Sequence, residues 1–135
     1  MEVKVESKIG RLRGDHHRIY TFLSDCTNFQ QFTANDKVKN WRADNDSCSF
    51  TVDGAGDVLF RIVERRPNDL IKFSIENAQA ENIFLWVQLK SVNQGETRMK
   101  LTAKLEVNPV VRMFISKPLQ QGLDKIVETI ENSCS

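Results

Sequence analysis

Six strand-like segments follow one another through the middle of this chain, and a single long helical pattern closes it. Turn-forming clusters at Asn45-Asp46, Asp53-Gly54-Ala55-Gly56, Pro67-Asn68-Asp69, 77–82 and Asn93-Gln94-Gly95 mark off segments 37–43, 47–52, 57–65, 70–76, 83–92 and 97–107. Gly, Asn, Asp and Pro supply the backbone angles of tight turns. Tight turns between successive strands favour an antiparallel meander. Segment 97–107 alternates best: Met99, Leu101, Ala103, Leu105 and Val107 share one face, and Arg98, Lys100, Thr102, Lys104 and Glu106 the other. That is a sheet with one dry and one wet face. Asn108 is then a favoured N-cap, and Pro109 fits the first helical position, so a helix spans 109–132. A helix of that length must bury an apolar side, and the sheet is the large surface on offer. The expected class is α+β, with a pocket between helix and sheet.

The start of the chain adds a strand and a helix pair. Val3, Val5 and Ile9 share a parity, so residues 2–12 read as one strand with a buried face. Asp15 is the N-cap of a helix carrying Ile19, Phe22, Leu23 and Cys26. Thr27 and Gln30 read as a capping box opening a second short helix, with Phe29 and Phe32 on one face. In segment 83–92 the odd row, Ile83, Leu85, Val87 and Leu89, faces the core. Phe84 and Trp86 then lie outside, either covered by long neighbouring side chains or marking a subunit contact.

The final helix has two unlike halves. Leu119, Leu123, Ile126, Val127 and Ile130 form a regular stripe, whereas Val110, Val111, Met113, Phe114 and Ile115 cover most of the circumference. Pro118 lies between them and removes a helix hydrogen bond, so a kink or two helices meeting end to end is expected there. The first half, 110–115, reads as a gate hinged at Pro118.

A chain of 135 residues fits one domain, 1–135, with a core that needs no disulfide or metal. A net charge of +1 and only short basic clusters, Lys37-Val38-Lys39 and Arg65-Arg66, argue against a nucleic-acid partner. No stretch approaches the roughly 18 apolar residues of a membrane span. The charged opening Met1-Glu2-Val3-Lys4 lacks a leader's apolar run, so the expected location is cytoplasmic. Cys26, Cys48 and Cys134 are odd in number and widely spaced, which reads as reduced thiols rather than a disulfide framework or a metal pattern.

Chemistry-bearing motifs are sparse. His16 and His17 are adjacent, about 100° apart on a helix, and do not converge on one metal. Asp53-Gly54-Ala55-Gly56-Asp57 joins two strands and so lacks the helix start that lets glycine loops hold phosphate. No cofactor or metal is expected, and no catalytic set can be assigned. The apolar residues carry the signal. Phe32, Trp41, Phe50, Phe60, Phe73, Ile75, Met99, Leu101, Met113 and Phe114 are expected to converge between sheet and helix, where they would either line a pocket or fill a core.

Several stretches resemble the START-like superfamily, also called SRPBCC or Bet v 1-like, which includes polyketide cyclase/dehydrase and lipid-transport proteins. They are the first strand 3–11, Tyr20-Thr-Phe-Leu-Ser-Asp25 with Asn28-Phe29, Arg65-Arg-Pro-Asn-Asp-Leu-Ile-Lys-Phe73, Leu85-Trp-Val-Gln-Leu89, Asn108-Pro109, Lys117-Pro-Leu119 and Leu123-Asp-Lys125. The resemblance implies the helix-grip fold: a curved seven-stranded antiparallel sheet, two short helices and a long C-terminal helix over a cavity. It also implies a ligand that is lipid, sterol or polyketide-like. The leading expectation is a non-catalytic protein binding a small hydrophobic molecule. A second reading is a cyclase- or dehydratase-type enzyme drawing on Glu64, Arg61, Asn40 or Tyr20. A third is an interaction module or homodimer using Phe84 and Trp86 on the outer sheet face.

Overall fold

The computed structural model describes residues 1–33 and 37–134, and of Phe32 and Thr33 only the backbone. In chain order the elements are β1 (Glu2–Glu6), β2 (Gly10–Arg13), α1 (His16–Leu23), a 3-10 helix (Cys26–Thr33), β3 (Val38–Ala43), β4 (Ser47–Val52), β5 (Gly56–Arg66), β6 (Leu70–Asn77), β7 (Ala80–Asn93), β8 (Glu96–Glu106) and α2 (Pro109–Ser133). The strands form one antiparallel sheet ordered β1-β8-β7-β6-β5-β4-β3, with β2 also on β8. Since β1 and β2 share β8, the sheet has seven strand positions. This is the helix-grip arrangement.

The alternation read in 97–107 appears as a buried row, Thr97, Met99, Leu101, Ala103 and Leu105. Cross-strand partners share a face. Leu85 pairs with Ala103 and Val87 with Leu101, while Phe73 pairs with Leu85, so one dry face runs from β8 to β6.

The first strand is not continuous. Val5 pairs with Ala103 but Gly10 with Met99, a slip of one residue that flips the buried parity. Ser7 makes the slip tolerable. Its N–H donates to the Leu101 carbonyl at 2.8 Å, and its Oγ accepts from the Leu101 N–H at 2.9 Å. Gly10 and Leu12 therefore point inward, and Ile9 lies exposed instead of sharing the face of Val3 and Val5.

α1 starts as expected, with the Asp15 side chain accepting from His17 N–H at 2.8 Å. The second short helix is a 3-10 helix, and Asp25, not Thr27, organises its start. Asp25 Oδ1 accepts from the Thr27 N–H at 3.0 Å and from the Thr27 hydroxyl at 2.7 Å.

α2 is one helix that continues through Pro118 rather than two meeting end to end. Asn108 caps it, accepting from Val111 N–H at 2.9 Å. Leu123, Val127 and Ile130 are its buried residues, and it packs on β1, β2 and β8. Its carboxylates also take two backbone donors beyond β1, one between β1 and β2 and one in β2. Asp124 accepts from Lys8 N–H at 2.6 Å and Glu131 from Arg11 N–H at 2.8 Å, while Glu128 meets Lys8 Nζ at 2.6 Å.

Candidate functional site

The inner face beyond α2 carries a chain of aromatic rings. Phe29 meets Phe73 at 5.9 Å, Phe73 meets Phe60 at 6.0 Å, Phe60 meets Phe50 at 5.8 Å, and Phe50 stacks on Trp41 at 5.7 Å. The separations suit offset and edge contacts. Register explains the row: Cys48 pairs with Phe60 and Ile62 with Phe73, so alternate residues of β4, β5 and β6 share the dry face. In β3 a bulge with Asn40 at φ 58° brings Trp41 to the same side. Phe73 is fully buried, but Trp41, Phe50, Phe60, Ile75 and Ile83 are only half-buried, so solvent reaches an apolar strip.

The expected site residues divide into three groups. Trp41, Phe50, Phe60, Phe73 and Ile75 come together on this strip. Met99 and Leu101 are fully buried in the core. Met113 and Phe114 do not join them: they are 79% and 72% exposed on the first half of α2. Phe32 lies outside the described side chains. Phe29 completes the row and was not among the expected ligand contacts. Its signal was the Phe29/Phe32 spacing, since residues three apart eclipse on a 3-10 helix.

The polar residues that a catalytic reading would draw on do not gather at one place. Glu64 pairs with Arg66 at 3.2 Å and Arg61 with Glu76 at 4.0 Å. Asn40 donates to Thr51 Oγ1 at 3.3 Å. Glu64 and Arg61 belong to the wet face, Asn40 sits at the β3 bulge beside Trp41, and Tyr20 is buried in α1. A concavity of about 1050 Å³ is bordered both by polar side chains, among them Asn40, Arg42, Asp57 and Glu76, and by Trp41 and Phe50 of the aromatic row. Ser49 pairs with Leu59 and Leu59 with Glu76, so that part of its lining alternates with the aromatic row and belongs to the wet face. Phe84 and Trp86 are covered there by cations: Lys72 Nζ lies 4.6 Å and 5.1 Å from their ring centres, and Lys104 Nζ lies 5.9 Å from that of Trp86.

Backbone N–H groups of Asp46 and Ser47, with the Ser47 hydroxyl, hold the Asp44 carboxyl below its ordinary value. The Glu128 contact raises Lys8. Cys26 and Cys48 act on each other. Each is the largest influence on the other, with the Cys26 thiol pushed up and the Cys48 thiol drawn down. Among the described residues no group of three His, Cys, Asp or Glu side chains could hold a metal ion. Nor is any described helix long and apolar enough to cross a membrane.

No protein-family model matches the chain, and no curated protein matches it in sequence. Solved structures do match in shape. A norcoclaurine synthase point mutant from Thalictrum flavum, bound to a transition-state analogue, superposes with a TM-score of 0.77 at 9% identity, covering 99% of this chain and 94% of that one. A START superfamily protein from Mycobacterium smegmatis gives 0.71 at 13% identity, covering 98% and 96%. The fold is START-like. The Aha1 dimer from Colwellia psychrerythraea gives 0.70 at 12% identity, again over 98% and 96% of the two chains. At these identities the START-like likeness concerns the fold, over essentially the whole chain.

Proposed function

We propose that this chain binds a small hydrophobic molecule, lipid, sterol or polyketide-like, against the aromatic row on the inner face of the sheet beside α2. The observation that carries this reading is the half-buried apolar strip formed by Trp41, Phe50, Phe60 and Ile75 beside the core. A protein filling a solid core would seal such side chains. Removing about 200 Å² of apolar surface from water would supply roughly 5 kcal/mol before the costs of association. That a synthase of the same fold holds a transition-state analogue supports a ligand seat in this architecture. Three free thiols fit a reducing, cytoplasmic setting.

The first half of α2 is the proposed gate. Val110, Met113 and Phe114 present bare apolar surface beyond the helix's anchored half. Pro118→Ala restores an N–H for the Phe114 carbonyl and should slow ligand exchange; unchanged exchange rates would remove the gate. For a cyclase or dehydratase, Glu64 and Arg61 stand on the far side of the sheet from the row, and Asn40 alone borders a concavity with Trp41 and Phe50. For a dimer through the outer face, Lys72 and Lys104 already occupy the rings of Phe84 and Trp86.

The test is native mass spectrometry of gently purified protein, followed by Trp fluorescence titration with the apolar compound recovered. A retained apolar adduct that perturbs Trp41 emission, and does not do so in Trp41→Phe, is expected. Bare protein together with no saturable response to fatty acids, sterols or aromatic polyketides would overturn the reading.

A further inference from the structure

The outward side of the first half of α2 carries an apolar ridge followed by cations. Val110, Met113 and Phe114 lie three and four residues apart and so stand on one side of the helix, and Lys117 follows at the next such step. Leu123, part of the buried stripe, lies nine residues after Phe114. That is about two and a half turns, which puts the two on opposite sides of a helix unbroken between them. The ridge therefore points away from the sheet. Val110, Met113 and Phe114 are exposed at 66%, 79% and 72%. A helix side turned to solvent ordinarily carries polar and charged residues, so this one runs against the usual pattern.

The charges around the ridge have one sign. Between Glu106 and Asp124 the only charged residues are Arg112 and Lys117. Lys125 stands eleven residues after Phe114, about three turns, and so on the same outward side. Among the described residues none of these three cations pairs with a carboxylate. The Arg112 guanidinium reaches Met1 Sδ instead, at 3.3 Å. The first acids farther along α2 are already engaged: Asp124 accepts from Lys8 N–H, and Glu128 pairs with Lys8 Nζ.

We propose that this ridge seats the protein on a lipid bilayer bearing anionic headgroups. Val110, Met113 and Phe114 enter the boundary between headgroups and acyl chains. The stems of Lys117 and Lys125 lie along it, with their ammonium groups at the phosphates. A second copy of the chain fits less well. A two-fold contact sets the same patch against itself, so cations of both copies would meet with no free carboxylate from this half to receive them. Three exposed side chains of this size also offer on the order of 400 Å², half the roughly 800 Å² per partner that a stable protein interface buries. A bilayer sets no such minimum and supplies the anions. Docking goes beyond the binding reading above and does not depend on it. Where both hold, the apolar molecule passes between strip and bilayer without crossing water, and that consequence alone rests on the binding reading.

The experiment sediments the full chain with vesicles of phosphatidylcholine, and with vesicles of phosphatidylcholine and phosphatidylglycerol in equal parts. Binding to the mixed vesicles is expected to be at least about tenfold tighter, and to weaken as salt is added. Met113→Ser combined with Phe114→Ser should lower that binding by about tenfold or more while keeping the thermal midpoint. Lys117→Gln combined with Lys125→Gln should remove most of the preference for the anionic lipid. Lys72→Gln takes a charge from the wet face of the sheet, beside Phe84 and Trp86, and should bind as the wild type does. No sedimentation with either vesicle would overturn the proposal. So would equal losses in Lys72→Gln and Lys117→Gln, which would mark attraction to the protein's charge at large. A soluble dimer that Phe114→Ser splits, seen by analytical ultracentrifugation, would also overturn it and assign the ridge to a second copy. If a double variant does not fold, the salt dependence and the single variants Phe114→Ser and Lys117→Gln decide it. Vesicle binding by a protein that takes up no apolar compound leaves the docking standing and removes the exchange. Uptake without vesicle binding keeps the binding reading and removes the docking.

Discussion

Gly10 sits where β2 passes under α2, and its missing side chain sets the distance between them. A Cβ at that position would stand 2.6 Å from Val127 Cγ1, a fully buried branched side chain with little room to turn. Gly10→Ala is therefore expected to destabilise the fold by about 1–3 kcal/mol, read as a lower urea midpoint with an unchanged slope. Asp44 makes a different local contribution, to the β3–β4 turn. Its carboxylate accepts from the N–H groups of Asp46 at 2.9 Å and Ser47 at 2.8 Å, which depresses its pKa. A carboxyl depressed in the folded state adds stability that is whole above its unfolded pKa and is lost as pH falls through the lower, folded one. The acid limb of a stability–pH curve should thus be shallower in Asp44→Asn than in the wild type, while the two run parallel from pH 6 to 8. Single residues were also where the sequence misled. Val3, Val5 and Ile9 share a parity, but Ser7 replaces a ladder partner with its own side chain and shifts the register by one. Nothing in the spacing of apolar residues announces such a substitution.

Regular elements with one dry face were far easier to read. β8 and the C-terminal half of α2 carry period-two and helical stripes, because burial on one side is what writes the pattern; in α2 Leu123, Val127 and Ile130 are buried, whereas Leu119 is half-buried and Ile126 is exposed. The first half of α2 has no such discipline, and it is here that sequence and structure part. Its apolar residues suggested contact on several sides, yet Val110, Met113 and Phe114 stand exposed. The two halves should respond oppositely to substitution. Leu123→Ala empties a packed position and is expected to cost about 2–4 kcal/mol. Met113→Ser and Phe114→Ser should stay within about 0.5 kcal/mol of the wild type in the absence of ligand. Urea denaturation of the three variants checks this. A large loss in Phe114→Ser would mean that the helix start packs against something in solution. The short helix after α1 was hidden for another reason: Asp25 and Thr27 are both capping residues, and only the geometry shows Asp25 accepting both bonds.

For the whole molecule, what α2 leaves uncovered defines the candidate site. The helix rests on β1, β2 and β8, the sheet continues through β7 to β3, and the aromatic row occupies the part farthest from the helix's anchor. The sequence supplied most members of that row, since large apolar residues at alternating positions are visible directly. It could not separate core from strip. Met99 and Trp41 look equally apolar in sequence, and only the position of a strand under the helix or beyond it decides which is sealed. A ligand on the strip binds the folded chain alone, so it should raise stability by RT ln(1 + [L]/Kd), about 2.7 kcal/mol at a hundredfold excess over Kd. Phe60 tests this from the centre of the row, touching Phe50 on one side and Phe73 on the other. Phe60→Ala should lower the ligand-free midpoint, through lost packing, and should also lose most of the ligand-induced rise. Phe84→Ala, on the wet face beneath Lys72, should keep that rise in full. If both variants kept it, the ligand would be seated away from the row. If both lost it, the effect would run through general loosening of the sheet rather than through a site on its inner face.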